Sequence, residues 1–180
     1  TLVSLTSCQK IEDLNDIVFD SNQFQKISFI AESKDIYNLY QPIINAPYID
    51  YSLKNSPNKY LNEWFQDNIQ AFGSENKVVF NIINSSLKKS EIPNIDSKKY
   101  KEKIIFLFEI NLMAEFVLYD DSNFILSSVI VESQRTTTSG KYISLDQIEN
   151  IIDLLILDCL RDFTNKSDEL INTHMSQFII

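Results

Sequence analysis

Residues 104–119 constrain the fold more than any other stretch. The even positions Phe106, Phe108, Ile110, Leu112, Ala114, Phe116 and Leu118 are all apolar, while Glu109, Asn111 and Glu115 take the other side. Side chains alternate across a strand, so a period of two held from Ile104 to Tyr119 predicts a long strand in a sheet covered on one face. Asp120-Asp121-Ser122-Asn123 reads as a turn, and Phe124 to Thr138 returns as a second long strand that ends in the polar run Gln134 to Ser139. The alternation blurs at Ser127-Ser128, which predicts a bulge there. The apolar face of this hairpin needs a second layer.

Two amphipathic segments can supply it. Ser56 is a candidate N-cap, Pro57 suits the first helical position where its missing N–H costs nothing, and Gly73 is expected to end the helix in a left-handed conformation. Between them Leu61, Trp64, Phe65, Ile69 and Phe72 fall at helical spacing. Ser144 with Gln147 forms a capping box ahead of Ile148, Ile151, Ile152, Leu155, Cys159 and Phe163 on one side of a second helix. Beyond a polar break at residues 165–167, Leu170, Ile171, His174, Met175 and Phe178 keep helical spacing, as a continuation or as a separate helix. Phe24 to Ala31 and Lys77 to Asn84 read as strands. Glu32 to Ser56, with Pro42 and Pro47, is expected to be a long irregular crossing, and Ser85 to Lys103 a polar loop. The sum is an α+β two-layer sandwich, an about four-stranded mixed or antiparallel sheet with two helices on one face.

The chemistry-bearing residues are few. The chain has 1 His, no G-x-S-x-G and no H-E-x-x-H, so neither a catalytic triad nor a zinc site is expected, and no cofactor is called for. With 2 Gly it has no glycine-rich phosphate cradle, and a net charge of -9 argues against nucleic acid as a partner. Asp120 and Asp121 are turn residues, and Asp153, Asp158 and Asp162 read as the solvated face of the last helix. The protein is therefore expected not to be an enzyme.

Leu5-Thr6-Ser7-Cys8 matches the pattern of bacterial lipoprotein processing, in which a peptidase cuts beside small residues and the freed Cys carries the lipid. On that reading residues 1–7 are a signal-peptide remnant, residues 8–23 the lipidated N-terminus and tether, and residues 24–180 one periplasmic domain. Cys159 then has no partner and is read as buried packing. No run of about 18 apolar residues follows Cys8, so the lipid on Cys8 is the expected membrane anchor. Gln9 stands where Asp commonly retains lipoproteins at the inner membrane; likeness to such sorting signals points to the periplasmic face of the outer membrane.

Partner surfaces are expected in two places. Tyr37, Tyr40, Tyr48 and Tyr51 join rigid aromatic area to polar tips. The loop lysines, Lys88, Lys89, Lys98 and Lys99 among them, could face acidic lipid headgroups, lipopolysaccharide phosphates or an acidic protein. Residues 134–138, with Arg135, could form an edge open to strand addition.

The stretch from Tyr48 to Pro93 resembles small, largely uncharacterised lipoproteins of Gram-negative bacteria. Pro57, Trp64, Gly73 and Pro93 match their pattern of a Pro-led helix holding a Trp, a Gly that ends it, a strand and a Leu-Pro-like exit; Ile92 departs from Leu and Asn68 from Arg. More distantly the layout is similar to auxiliary lipoproteins of ABC-type lipid transport and to the lipoprotein plug of the lipopolysaccharide translocon. The resemblance implies a non-enzymatic accessory or binding subunit in envelope assembly or lipid transport, within an envelope protein complex. A lipid-tethered regulator of a peptidoglycan synthase and a carboxylate-based hydrolase are the alternatives.

Overall fold

The computed structural model describes residues 19–95 and 102–180. Leu5, Thr6, Ser7 and Cys8 lie outside them. The elements are β1 (Ile27–Phe29), β2 (Ser33–Asn38), α1 (Pro57–Asn68), β3 (Ile69–Ala71), β4 (Lys77–Pro93), β5 (Ile104–Tyr119), β6 (Ile125–Gly140) and α2 (Leu145–His174). The main sheet runs β2-β4-β5-β6, with β2 parallel to β4 and the other pairs antiparallel; β1 and β3 form a small parallel pair. Both helices lie on one face of the main sheet, so the architecture is the two-layer α+β sandwich that the alternation and caps predict.

The predicted hairpin is present, and its even positions on β5 line the helix-facing side. Its bulge sits elsewhere than expected. Leu118 faces Ser127 but Tyr119 faces Ile125, so Leu126 is the extra residue. The capping box of α2 is formed on both sides, by Ser144 accepting from the Gln147 N–H and the Gln147 side chain accepting from the Ser144 N–H. Past the polar run at residues 165–167 the helix continues without a break. Ser167 turns its hydroxyl back to the Phe163 carbonyl at 2.8 Å, which hides the polar group inside the helix.

Four expectations about element boundaries are corrected. The polar loop of Ser85 to Lys103 is largely strand: β4 runs on to Pro93, because each of its residues from Asn84 onward is paired with β5. The crossing from Glu32 holds β2, an edge strand whose two sides differ little in polarity. The first strand shrinks to Ile27–Phe29. α1 ends at Asn68, and Ile69 starts β3 instead of extending the helix; Phe72, expected inside, is 57% exposed.

Gly73 does not end the helix and has no left-handed conformation. Its value is closeness. A Cβ on Gly73 would lie 2.8 Å from the Ala31 nitrogen and 3.1 Å from the Ile30 carbonyl carbon. Lys34 does the work assigned to Gly73: from β2 its ammonium reaches the carbonyls of Gln66 at 2.6 Å and Ile69 at 2.7 Å, closing the end of α1 with a cation where the helix dipole favours one.

The core is densest where α1 meets the sheet. Trp64, Phe65, Phe80, Phe116 and Phe163 are fully buried and touch one another. Trp64→Ala is expected to cost about 3–5 kcal/mol in a urea unfolding series. Gly73→Ala, which meets backbone rather than a movable side chain, is expected to lose about 1–3 kcal/mol by overpacking; an unchanged midpoint would show that the two loops move apart freely.

Candidate binding surface

Among the described residues one face of the main sheet carries no helix, and its pairing sets out rows of side chains across three strands. Ser86 of β4, Asn111 of β5 and Gln134 of β6 form one row; Lys88, Glu109 and Thr136 form the next. Opposed residues in an antiparallel ladder share a face, with Cβ atoms about 4.5–5.5 Å apart. A recess of about 230 Å³ opens over these rows, walled at one side by Tyr48.

Tyr48 reaches it because of a bulge. β2 borders β4 only as far as Ile82, where the register with β5 shifts between Ile82 and Asn84. Beyond that point the strap of residues 47–49 takes over the edge: the Lys89 N–H donates to the Pro47 carbonyl at 2.8 Å and the Ile49 N–H to the Leu87 carbonyl at 2.9 Å. Asp50, buried at 4% exposure, pins the strap by accepting from the Leu87 N–H at 3.2 Å and from the Tyr40 hydroxyl at 3.0 Å. Burial, then the Asp50 carboxylate, pushes the Tyr40 hydroxyl well above the usual phenol range.

The predicted tyrosine surface is thus not one patch. Tyr40 is spent on Asp50, and Tyr51 is exposed in the turn that follows the strap. Tyr37 sits on β2 beside a separate recess with Lys77, Asn81 and Tyr119. Tyr48 alone joins the open-face recess. The lysines are divided in the same way, since neighbours on a strand point to opposite faces. Lys88 lies over the Tyr48 ring, 5.2 Å from its centroid, whereas Lys89 turns to the helix side and sits 3.9 Å from the Phe106 centroid. Lys98 and Lys99 lie outside the described residues.

The open-face polar groups are tied to one another. Glu132 accepts from the Asn111 Nδ2 at 2.9 Å and from the Gln134 Nε2 at 2.6 Å, and these hydrogen bonds hold its carboxyl below the usual range. The Asn111 Oδ1 is buried, and among the described residues no group donates to it. Glu109 and Asn111 were visible as the polar side of the long strand, but their grouping with Ser86, Gln134 and Thr136 needs the cross-strand register.

Elsewhere several residues read as packing or surface behave so. Cys159 is buried and desolvation pushes its thiol up to about 11; His174 is exposed. Asp120 caps its own turn by accepting from the Ser122 and Phe124 N–H groups. A third recess of about 350 Å³ lies between residues 52–55 and α2, lined by Lys54, Glu149 and Asp153 among others. Among the described residues no group of three or more His, Cys, Asp or Glu could hold a metal ion. Asp158 and Asp162 are more than a solvated face: both reach Arg135, with Asp162 bidentate on the guanidinium. Arg135 projects to the helix side between Gln134 and Thr136, so this ion pair fixes the rim of the recess to α2.

No protein-family model and no curated protein matches the chain. Among solved structures, a minor lipoprotein from Acinetobacter baumannii is similar, with a TM-score of 0.42 and 9% sequence identity over 77% of this chain and 91% of that one. A likeness this distant carries no argument about activity.

Arg135 holds the Asp162 carboxyl below its ordinary range, chiefly through their hydrogen bonds. A carboxyl depressed on folding adds stability above its unfolded pKa of about 4 and loses it as pH falls through the lower folded value. Both side chains are more than a third exposed, at 43% and 37%, so the pair contributes less than about 1 kcal/mol. Arg135→Ala is expected to show that deficit in urea unfolding at neutral pH and progressively less of it in acid. A deficit that grew in acid would contradict the assignment.

Proposed function

We propose that the chain is a lipid-anchored, non-enzymatic binding subunit of the bacterial envelope, held at the periplasmic face of the outer membrane and accessory to envelope assembly or lipid transport. The carrying observation is Leu5-Thr6-Ser7-Cys8 placed just ahead of a folded α+β domain. The acyl chains on Cys8 supply the attachment; more than one is needed, since each buried methylene adds only about 0.8 kcal/mol. No described helix is long and apolar enough to cross a membrane.

The seat of the N-terminal segment favours work close to the anchor. Phe19 already packs on Tyr60 of α1, with ring centroids 4.9 Å apart, and Asn68 donates to the carbonyls of Ser21 and Phe24. Only residues 9–18 separate Cys8 from that seat, a reach of roughly 35–40 Å at about 3.5 Å per residue. A domain on so short a leash suits a partner at or in the same membrane better than one across the periplasm. The open sheet face, with its recess and no described helix above it, is the surface offered for binding.

Wild-type protein is expected to incorporate labelled palmitate and to sediment with outer membranes, and Cys8→Ser to do neither. A Cys8→Ser protein that stayed with membranes after signal removal would overturn the anchor. Crosslinking in intact cells tests the partner class: transporter or outer-membrane barrel subunits would support the accessory role, and cell-wall synthases would replace it with the regulatory one.

A further inference from the structure

We infer that the end of the sheet where β4 gives way to β5 and β6 to α2 is a membrane-facing tip, which dips Ile95, Ile104, Tyr142 and Leu145 into the interface of the phospholipid bilayer that holds the anchor. The inference rests on the lipid-anchored reading and adds which way the domain faces on its tether.

Glu102 fastens the two connections into one surface. The Asn94 N–H donates to the Lys103 carbonyl at 2.9 Å and its Nδ2 to the Glu102 carbonyl at 3.0 Å. The Glu102 carboxylate in turn accepts from the Lys141 N–H at 2.7 Å and the Tyr142 N–H at 3.2 Å. On this surface Ile95 is 96% exposed, Tyr142 82%, Leu145 68% and Ile104 45%. Large apolar side chains gathered on adjoining turns mark a surface that meets something apolar. A tyrosine suits the headgroup level, with an apolar body and a polar tip. The exposed Lys103 can lay its stem along the apolar side chains and keep its ammonium among lipid phosphates.

Charge separates the two ends of the sheet. At the tip the described charges, Lys89, Lys103 and Lys141 against Glu91, Glu102 and Asp146, sum to zero, so nothing there opposes apolar insertion. The opposite end also exposes Phe124 and Ile125, but Asp120 and Asp121 share their turn, Glu75 lies beside it next to Asn76, whose N–H donates to Asp121, and Lys77 is already bound to Asp35. Taking those carboxylates out of water would be costly.

The start of the described chain lies toward the tip. From Asn68, which holds the Ser21 and Phe24 carbonyls, the chain runs back along α1 to Phe19 on Tyr60. Asn58 at the start of α1 donates to the Ser85 hydroxyl, and Lys34, paired with Val78, holds its other end. The direction from Asn68 to Tyr60 is therefore that of β4 from Val78 to Pro93. From Ser85 to Pro93 is roughly 26 Å along the strand, within the roughly 35–40 Å reach of residues 9–18. With this end down the strands stand upright, and the open face looks sideways along the membrane.

The test couples the unlipidated 180-residue chain through the Cys8 thiol to uncharged phosphatidylcholine vesicles carrying a maleimide lipid; Cys159 is buried and does not compete. Tyr142→Trp and Phe124→Trp place reporters at opposite ends of β6, roughly 50 Å apart, against the buried Trp64 of the wild type. On brominated phosphatidylcholine the added emission of Tyr142→Trp is expected to be lost, in high salt as well, while that of Phe124→Trp and of the wild type is kept. Ile95→Glu with Leu145→Glu, both at exposed positions, is expected to restore the Tyr142→Trp emission. Unquenched Tyr142→Trp, equal quenching at both ends, or quenching indifferent to the two glutamates would overturn the inference. So would sedimentation of the untethered chain as a dimer that the glutamates dissociate, which would give the tip to a second copy. The maleimide lipid replaces the acyl chains, so these results do not depend on palmitate incorporation at Cys8 and the two readings fail separately.

Discussion

The contact on which the rest depends is Trp64 against three phenylalanines. Its ring lies 5.9 Å from Phe80, 6.2 Å from Phe116 and 5.7 Å from Phe163, edge to face in each case. One side chain of α1 thereby joins β4, β5 and α2, and each such ring pair adds about 0.5–1.5 kcal/mol beyond its buried area. The Trp64 Nε1 is left buried with no partner among the described residues, a local cost accepted for a shape that fills the gap between the layers. Lys34 completes the arrangement from the other side. Burial lowers its pKa, yet its ammonium is held by carbonyls at the end of α1, so β2 and the helix are fixed to each other by a cation.

The parts of this fold legible in the sequence are those where one local rule suffices. The β5 alternation, the Asp120–Asn123 turn, Ser56 with Pro57 and the Ser144–Gln147 box each follow from residue type and spacing. The second half of β4 does not. On the helix side Leu87 is the one apolar residue, between Ser85 and Lys89 with Glu91 beyond, and on the open side Ser86 and Lys88 meet other polar groups. One apolar residue sets no period, and pairing with β5 is what makes it a strand. Gly73 misled for a related reason: it is needed by a chain neighbour distant in sequence, Ala31, and not by the helix before it.

The recess shows the same division at a finer scale. Tyr48 and Lys88 could each be picked out by composition, but only the shift at Ile82 and Asn84 frees the β4 edge for the strap that brings them together. The remaining tyrosines and Lys89 share their composition and not their place. Asn111 belongs to the best-read strand of all, yet its uncommitted oxygen appears only once Glu132 from the next strand has claimed the amide nitrogen. What a polar sheet face can hold depends on neighbours two strands apart. No linear spacing encodes that.

The uninterrupted course of α2 has a mechanical meaning. A helix of 30 residues is about 45 Å long, close to the roughly 50–55 Å of the 16-residue strand beneath it. It is tied at one end by the box that follows Gly140 and at the other by the Ser127 hydroxyl on the His174 carbonyl. The helix acts as a splint along the whole hairpin. Neither end of the hairpin can peel away while it stays straight, so the splint on one face adds to the hydrogen bonds that hold the polar rows on the other.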